Sequence, residues 1–226
     1  MKREVIARRI LEPRVIYGYY PCNSEGNQLI VYDPSDPAAR RELTRFDFPR
    51  PPDREPLCLA DYFAPVESGR IDEVGLQVVT VGDRATEQFL ALQAAGDYAE
   101  GLFLHGLAVS TAEALAEYAQ QRMRRELGLG AEQGRRYSWG YPACPDLEEH
   151  AKLFRVLPAT DEIGVRLTSA FQLDPEASTA ALVTHHPQSK YFTTRAVRRL
   201  RAVNGATAPD EPPERELVAP GVLAEE

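Results

Sequence analysis

Cysteine is scarce in this chain, with only Cys22, Cys58 and Cys144 among 226 residues. An odd and widely spaced set makes no disulfide framework and points to a reducing compartment, the cytoplasm. Long apolar runs are missing too: the longest are far too short to span a bilayer, and no cleavable signal pattern opens the chain. Positive charge is in deficit, since 26 Lys and Arg against 34 Asp and Glu leave a net charge of -8. That balance argues against a general nucleic-acid surface. The one basic cluster, Arg195, Arg198, Arg199 and Arg201, is too short to change this. It reads as the solvated face of a helix, with docking of an acidic partner as the alternative.

Signatures of metal and phosphate chemistry are equally absent. His105, His150, His185, His186, Cys58 and Cys144 form no CxxC, HxxxH or HExxH pattern. His185 and His186 are adjacent, so on a strand they point to opposite faces, and no metal site is expected. His105 borders an apolar stripe and reads as a structural histidine. There is no GxGxxG and no P-loop; Gly128-Leu129-Gly130 follows a helix, which suits a C-cap instead of a phosphate cradle. Cys144 stands between Pro142 and Pro145 with nothing to lower its pKa, and reads as a small buried packing group.

What is present suffices for a sizeable core. Residues 2–12 read as the tail of a helix, with Ile6 and Ile10 one helical step apart. Val15 to Tyr20 and Leu29 to Tyr32 read as strands of a hairpin turned over Asn23 to Asn27. Leu43 to Phe48 gives a third strand, ended by Pro49, Pro51 and Pro52, and Val74 to Val81 a fourth. A helical region from Thr86 to Leu127 breaks near Gly96; within it Phe103, Leu107, Thr111 and Leu115 form the expected core-facing stripe. Glu113 and Glu117 share another face, either solvated or supplied with a cationic partner. A short helix over Leu147 to Val156 precedes strands over Val165 to Leu173 and Thr179 to Thr184. Strands, a helical block and strands again predict an α+β domain with an antiparallel sheet.

The most constrained stretch runs from Arg136 to Asp146, R-Y-S-W-G-Y-P-A-C-P-D. Prolines and a glycine exclude a regular helix or central strand here, so this is a loop with preset backbone angles. Arg136 suits bidentate pairing with a carboxylate, and Tyr141 and Tyr191 offer ring faces to a heterocycle or cation. On the residues alone, a small-molecule site and a structural proline loop remain equally open.

Several segments then match one known family, in its order. They are Val15 to Pro21 with Asn23 to Asn27, Leu57 to Phe63, Gln77 to Gly82, His105 to Glu117, Arg136 to Asp146, and His186-Pro187 with Ser189 to Phe192. The chain resembles the C-terminal activation (reactivation) domain of cobalamin-dependent methionine synthase. The resemblance implies an α+β fold with a curved antiparallel sheet and helices. It implies residues 1–206 as the domain, lacking the family's usual upstream portion; from about Thr207, four prolines, many acidic residues and no periodicity read on composition as a disordered or extended tail, 207–226. The implied function is binding S-adenosylmethionine for reductive methylation of cob(II)alamin to methylcobalamin, within a methyltransferase of methionine biosynthesis. The implied partners are a cobalamin-bearing module, in cis or in trans, and a flavodoxin-type electron donor; the isolated chain is not expected to make methionine. Carried over by position, Arg136 and the backbone around Ser138 hold the methionine and adenosine portions. Tyr141, the implied catalytic position, lies near the methyl group and the corrin. Tyr191 and Phe192 line the same groove, and Glu113 meets the ligand amino group directly or through water. Three features depart from the family: an acidic ligand residue of its upstream portion has no counterpart here, Val109 stands where many members carry aspartate, and Glu132 is the nearest candidate for an acidic residue before the loop arginine. The alternatives are a non-catalytic docking module with a degenerate pocket and a free-standing sensor of S-adenosylmethionine.

Overall fold

The computed structural model describes Val5 and residues 8–38, 41–50, 57–130 and 132–191. Six strands form an antiparallel sheet: β1 (Arg14–Glu25), β2 (Gln28–Tyr32), β3 (Glu42–Asp47), β4 (Asp72–Thr80), β5 (Arg136–Ser138) and β8 (Ser178–Val183). Their order is β3-β2-β1-β4-β8-β5, which leaves β5 at one edge. The helices with described bounds are α1 (Asp83–Ala94), α2 (Tyr98–Glu126), α3 (Glu149–Val156) and α4 (Ala159–Ile163). The expected α+β class with an antiparallel sheet is what the chain adopts. No helix among the described residues is long and apolar enough to cross a membrane.

The hairpin is tighter than its turn-forming residues suggest. Glu25 pairs with Gln28, so only Gly26 and Asn27 make the loop, with Gly26 at φ 60. β1 continues through Asn23 and Ser24 because their buried side chains find backbone acceptors. Asn23 Nδ2 donates to the Ala64 and Arg70 carbonyls at 2.9 and 2.7 Å, and Ser24 Oγ to the Phe63 carbonyl at 3.0 Å.

The sheet has two unlike faces. On one, Leu76, Val78, Tyr137 and Leu182 pack with Leu59, Tyr62 and Leu153 in the main core. On the other lies α2, and its buried positions are Gly101, Leu104, Ala108, Ala112, Ala116, Ala119, Gln120 and Met123. The stripe of Phe103, Leu107, Thr111 and Leu115 is therefore not the buried face; Phe103 is 67% exposed. Small alanines let helix and sheet approach closely. Gln77 Nε2 reaches the Ala116 carbonyl at 3.3 Å, and a Cβ on Gly75 would stand 2.3 Å from the Met123 methyl.

Three other expectations are corrected or left outside. Val165 to Leu173 is not one strand but two short ones, β6 (Arg166–Leu167) and β7 (Leu173–Asp174), paired across a turn. That turn closes through Thr168 N–H to the Gln172 carbonyl, with Phe171 at φ 59. At the N-terminus the described helical residue is Val5; Arg8 and Arg9 turn, and Ile10 N–H donates to the Val5 carbonyl. The basic cluster, Phe192 and the expected tail lie outside the described residues.

Candidate functional site

β5 is short because both its ends are turned by glycines. Before it, Gly134 has φ 76, and a Cβ there would fall 2.1 Å from the Thr184 carbonyl oxygen. After it, Gly140 has φ 88 within a turn that folds back on the strand. Tyr141 N–H and the Cys144 thiol both donate to the Ser138 carbonyl, at 3.4 and 3.0 Å, and Gly140 N–H donates to the Cys144 carbonyl at 2.9 Å. The thiol is buried and in no disulfide, and burial raises its pKa well above that of a free cysteine, so it packs and does not attack.

Strand alternation sends Arg136 and Ser138 to the α2 side, and Tyr137 and Trp139 to the core. The Arg136 side chain is 14% exposed. Its Nη2 meets Glu113 Oε2 at 2.8 Å and its Nη1 donates to Ser138 Oγ at 3.2 Å, which lies 3.3 Å from Thr179 Oγ1. Arg136 Nε is buried without a partner among the described residues. A half-exposed carboxylate thus neutralises the guanidinium from one side while one buried donor stays unspent. The cationic partner left open for Glu113 by the helical spacing is Arg136.

The structure joins Glu113, Arg136 and Ser138 directly, and ties the Tyr141 backbone to the Ser138 carbonyl through the turn, with Tyr141 62% exposed. Tyr191 is placed differently. Its ring, 66% exposed, meets Tyr137 at 5.6 Å, so it approaches β5 from the core side of the strand. Arg136 and Tyr191 therefore flank one edge strand from opposite faces. Val109 stands one turn before Glu113 on α2, and Glu132 offers its backbone carbonyl to Arg135 at 2.6 Å.

Sequence reasoning missed the residues that hold this edge. Arg124 donates from Nε to the Gln133 carbonyl and from Nη2 to the Gly134 carbonyl, at 2.9 and 3.0 Å, tying α2 to the approach of β5. Buried Gln120, with its amide oxygen turned toward the arginines, accepts from Arg124 Nη2 and from the Arg136 amide. Its seven-residue offset from Glu113 was the one available signal.

The histidines diverge. His185 Nε2 lies 2.5 Å from Asp72 Oδ1, in a cleft of about 450 Å³ lined also by Glu73, Leu127 and Leu129, whereas His186 packs on Tyr62. His105 packs on Phe89. Among the described residues no group of three or more His, Cys, Asp and Glu is placed to hold a metal.

Against known proteins, the model of the vitamin B12 dependent methionine synthase activation domain matches residues 1–204. The methionine synthase of Mycobacterium tuberculosis (strain ATCC 25618 / H37Rv) is 38% identical over 201 residues, covering 79% of this chain and 17% of the relative. That of Mycobacterium leprae (strain TN) is 35% identical over 201 residues, covering 79% and 16%. The chain thus spans about a sixth of the length of these relatives. A crystal structure of the MetH reactivation domain bound to AdoHcy matches with a TM-score of 0.78 at 29% identity, over 90% of this chain and 69% of the other.

Proposed function

The chain belongs to the family of the vitamin B12 dependent methionine synthase activation domain, and from that premise we propose that it binds S-adenosylmethionine along the edge of β5. There it presents the methyl group to a cobalamin carried by a neighbouring module. The observation that carries this reading is Arg136, a nearly buried guanidinium with one unspent donor and a carboxylate partner half in solvent.

The pair suits an amino-acid zwitterion. Arg136 receives the α-carboxylate through Nε and an Nη, and Glu113 receives the α-ammonium on the oxygen facing solvent. The backbone around Ser138 holds the adenosine portion. Tyr141, exposed at the rim, stands at the methyl group and the corrin, while Tyr191 lines the groove from the other side of the strand, and the family resemblance assigns Phe192 to the same groove. A sulfonium is already an activated methyl donor, so this chain supplies no general base; its contribution is orientation and exclusion of water. The cobalamin supplies the methyl-accepting metal centre, and a flavodoxin-type protein the electron for reductive reactivation. In this proposal methionine formation requires those partners, and the reaction is cytoplasmic, in keeping with three unpaired thiols.

Calorimetric titration of the chain with S-adenosylmethionine tests the reading. Saturable binding is expected, weakened roughly 10- to 100-fold in Arg136→Ala by loss of a charge-assisted pair. A folded chain that takes up no ligand would sink it. One feature favours the docking-module reading instead: Glu113 already neutralises Arg136. On that reading Arg136→Ala leaves docking to a cobalamin module unchanged.

A further inference from the structure

Tyr191 is exposed, yet the backbone just before it is held by two buried side chains. Tyr137 Oη donates to the Lys190 carbonyl at 2.8 Å, and Lys190 N–H donates to Tyr62 Oη at 3.2 Å. Tyr62 Oη also lies 3.4 Å from that same carbonyl. The two rings stack at 6.2 Å with 20° between their planes, and they are 5% and 3% exposed for Tyr62 and Tyr137.

Buried phenols need partners, and most find them on fixed core backbone. Here both converge on one residue next to an exposed ring. The approach to that residue is held as well. Gln133 Nε2 donates to the His185 carbonyl at 2.8 Å, His186 packs on Tyr62 at 5.6 Å, and Ser189 N–H donates to the His186 carbonyl at 3.1 Å. Tyr191 then turns its ring onto Tyr137, edge to face at 62°.

We infer that Tyr62 and Tyr137 are positioning residues that clamp the Lys190 backbone and so pre-set Tyr191 at the ligand groove, an inference that rests on the function proposed above. The alternation of β5 gives this its logic. Arg136 and Ser138 address the ligand directly from one side of the strand, while Tyr137, between them in sequence, works from the other side through Tyr191. An exposed ring on a free backbone would have to be ordered each time ligand binds, at a cost in affinity; the clamp removes that cost beforehand.

The test is a double-mutant cycle on the whole chain, titrated with S-adenosylmethionine: wild type, Tyr137→Phe, Tyr191→Ala and the pair. Tyr137→Phe should weaken binding roughly 2- to 10-fold in a chain that stays folded, with only the small fall in melting temperature that one lost buried hydrogen bond gives. With Tyr191 already alanine, Tyr137→Phe should add no further loss. An equal loss in both backgrounds overturns the proposal, as does no loss in either. A ligand-free readout runs beside it: trypsin cutting after Lys190. Tyr137→Phe and Tyr62→Phe should each speed that cut, and an unchanged rate in both overturns the clamp. Failure of the wild type to bind would overturn the proposed function instead, and the cleavage rates would still judge the clamp.

Discussion

The two sides of β5 obey different physics although one short strand and the residue that follows it, Trp139, supply both. The core side is apolar and closed: Trp139, 4% exposed, lies 5.2 Å from Phe46 and 5.8 Å from His150. The helix side is charged and partly open, with Arg136 anchored and Glu113 half in water. The comparison teaches that strand parity divides the work here. Even positions meet whatever the edge receives, while odd positions build the fold and reach the edge only through the Lys190 backbone that Tyr137 holds.

Breaking the core side should have the largest effect. Trp139→Ala should cost about 3–5 kcal/mol, seen as an earlier urea midpoint, because the vacated volume is walled by a packed core. A cost under about 1 kcal/mol would mean that the two sides are not distinct in this way.

A smaller effect belongs to the cleft where His185 meets Asp72 and is set by pH. The His185 pKa is raised by its hydrogen bond to Asp72, against the opposing pull of burial. Burial raises the Asp72 carboxyl, but the His185 bond and the amides of Ala64 and Glu73 outweigh it and leave the pKa lowered. A raised histidine stabilises fully below its unfolded value and loses that contribution as pH climbs through the folded one. A lowered carboxylate stabilises above its unfolded value and loses it as pH falls through the folded one. The pair therefore contributes most between about pH 4 and 6.5. Melting temperature should decline above that window in the wild type and decline less in Asp72→Asn; parallel curves would remove the pair from the account.

The smallest effect sharpens the comparison. Glu113→Gln should change stability by less than about 1 kcal/mol, because the carboxylate is half exposed. The same variant should still weaken S-adenosylmethionine binding several-fold. A variant that lost stability and kept affinity would assign Glu113 to the fold.

Much of this architecture could be read beforehand, for identifiable reasons. Proline and glycine punctuation located β3, the break at Gly96 and the turn that follows Ser138, and runs of β-branched residues located β4 and β8; the loop expected over Arg136 to Asp146 instead begins as edge strand β5, because Arg136–Ser138 pair with β8 before the first proline. The buried face of α2 was misread because its contacts are alanines, and a search for large apolar residues passes over them to Phe103 and Leu115. The turn after β1 was placed early because Asn23 and Ser24 look like turn formers until their distant backbone partners are known. Val165 to Leu173 looked continuous because apolar content does not reveal the Thr168–Gln172 closure, and α4 was too short for periodicity to show. In the site, Arg136 and Glu113 were named, but their pairing depends on a β5-to-α2 contact that no local pattern encodes. Tyr137 was passed over because its partner is the Lys190 backbone, 53 residues away, which no local pattern encodes.

The alanine face of α2 has a further consequence. A helix seated on methyl groups has almost no slack between its axis and the sheet, so the height of Glu113 above β5 is set by the bulk of Ala108, Ala112 and Ala116. The helix behaves as a lever whose fulcrum is one carbon thick. A larger residue beneath it would lift the carboxylate from the guanidinium without touching either, so positions that never meet a ligand would govern how the edge reads one.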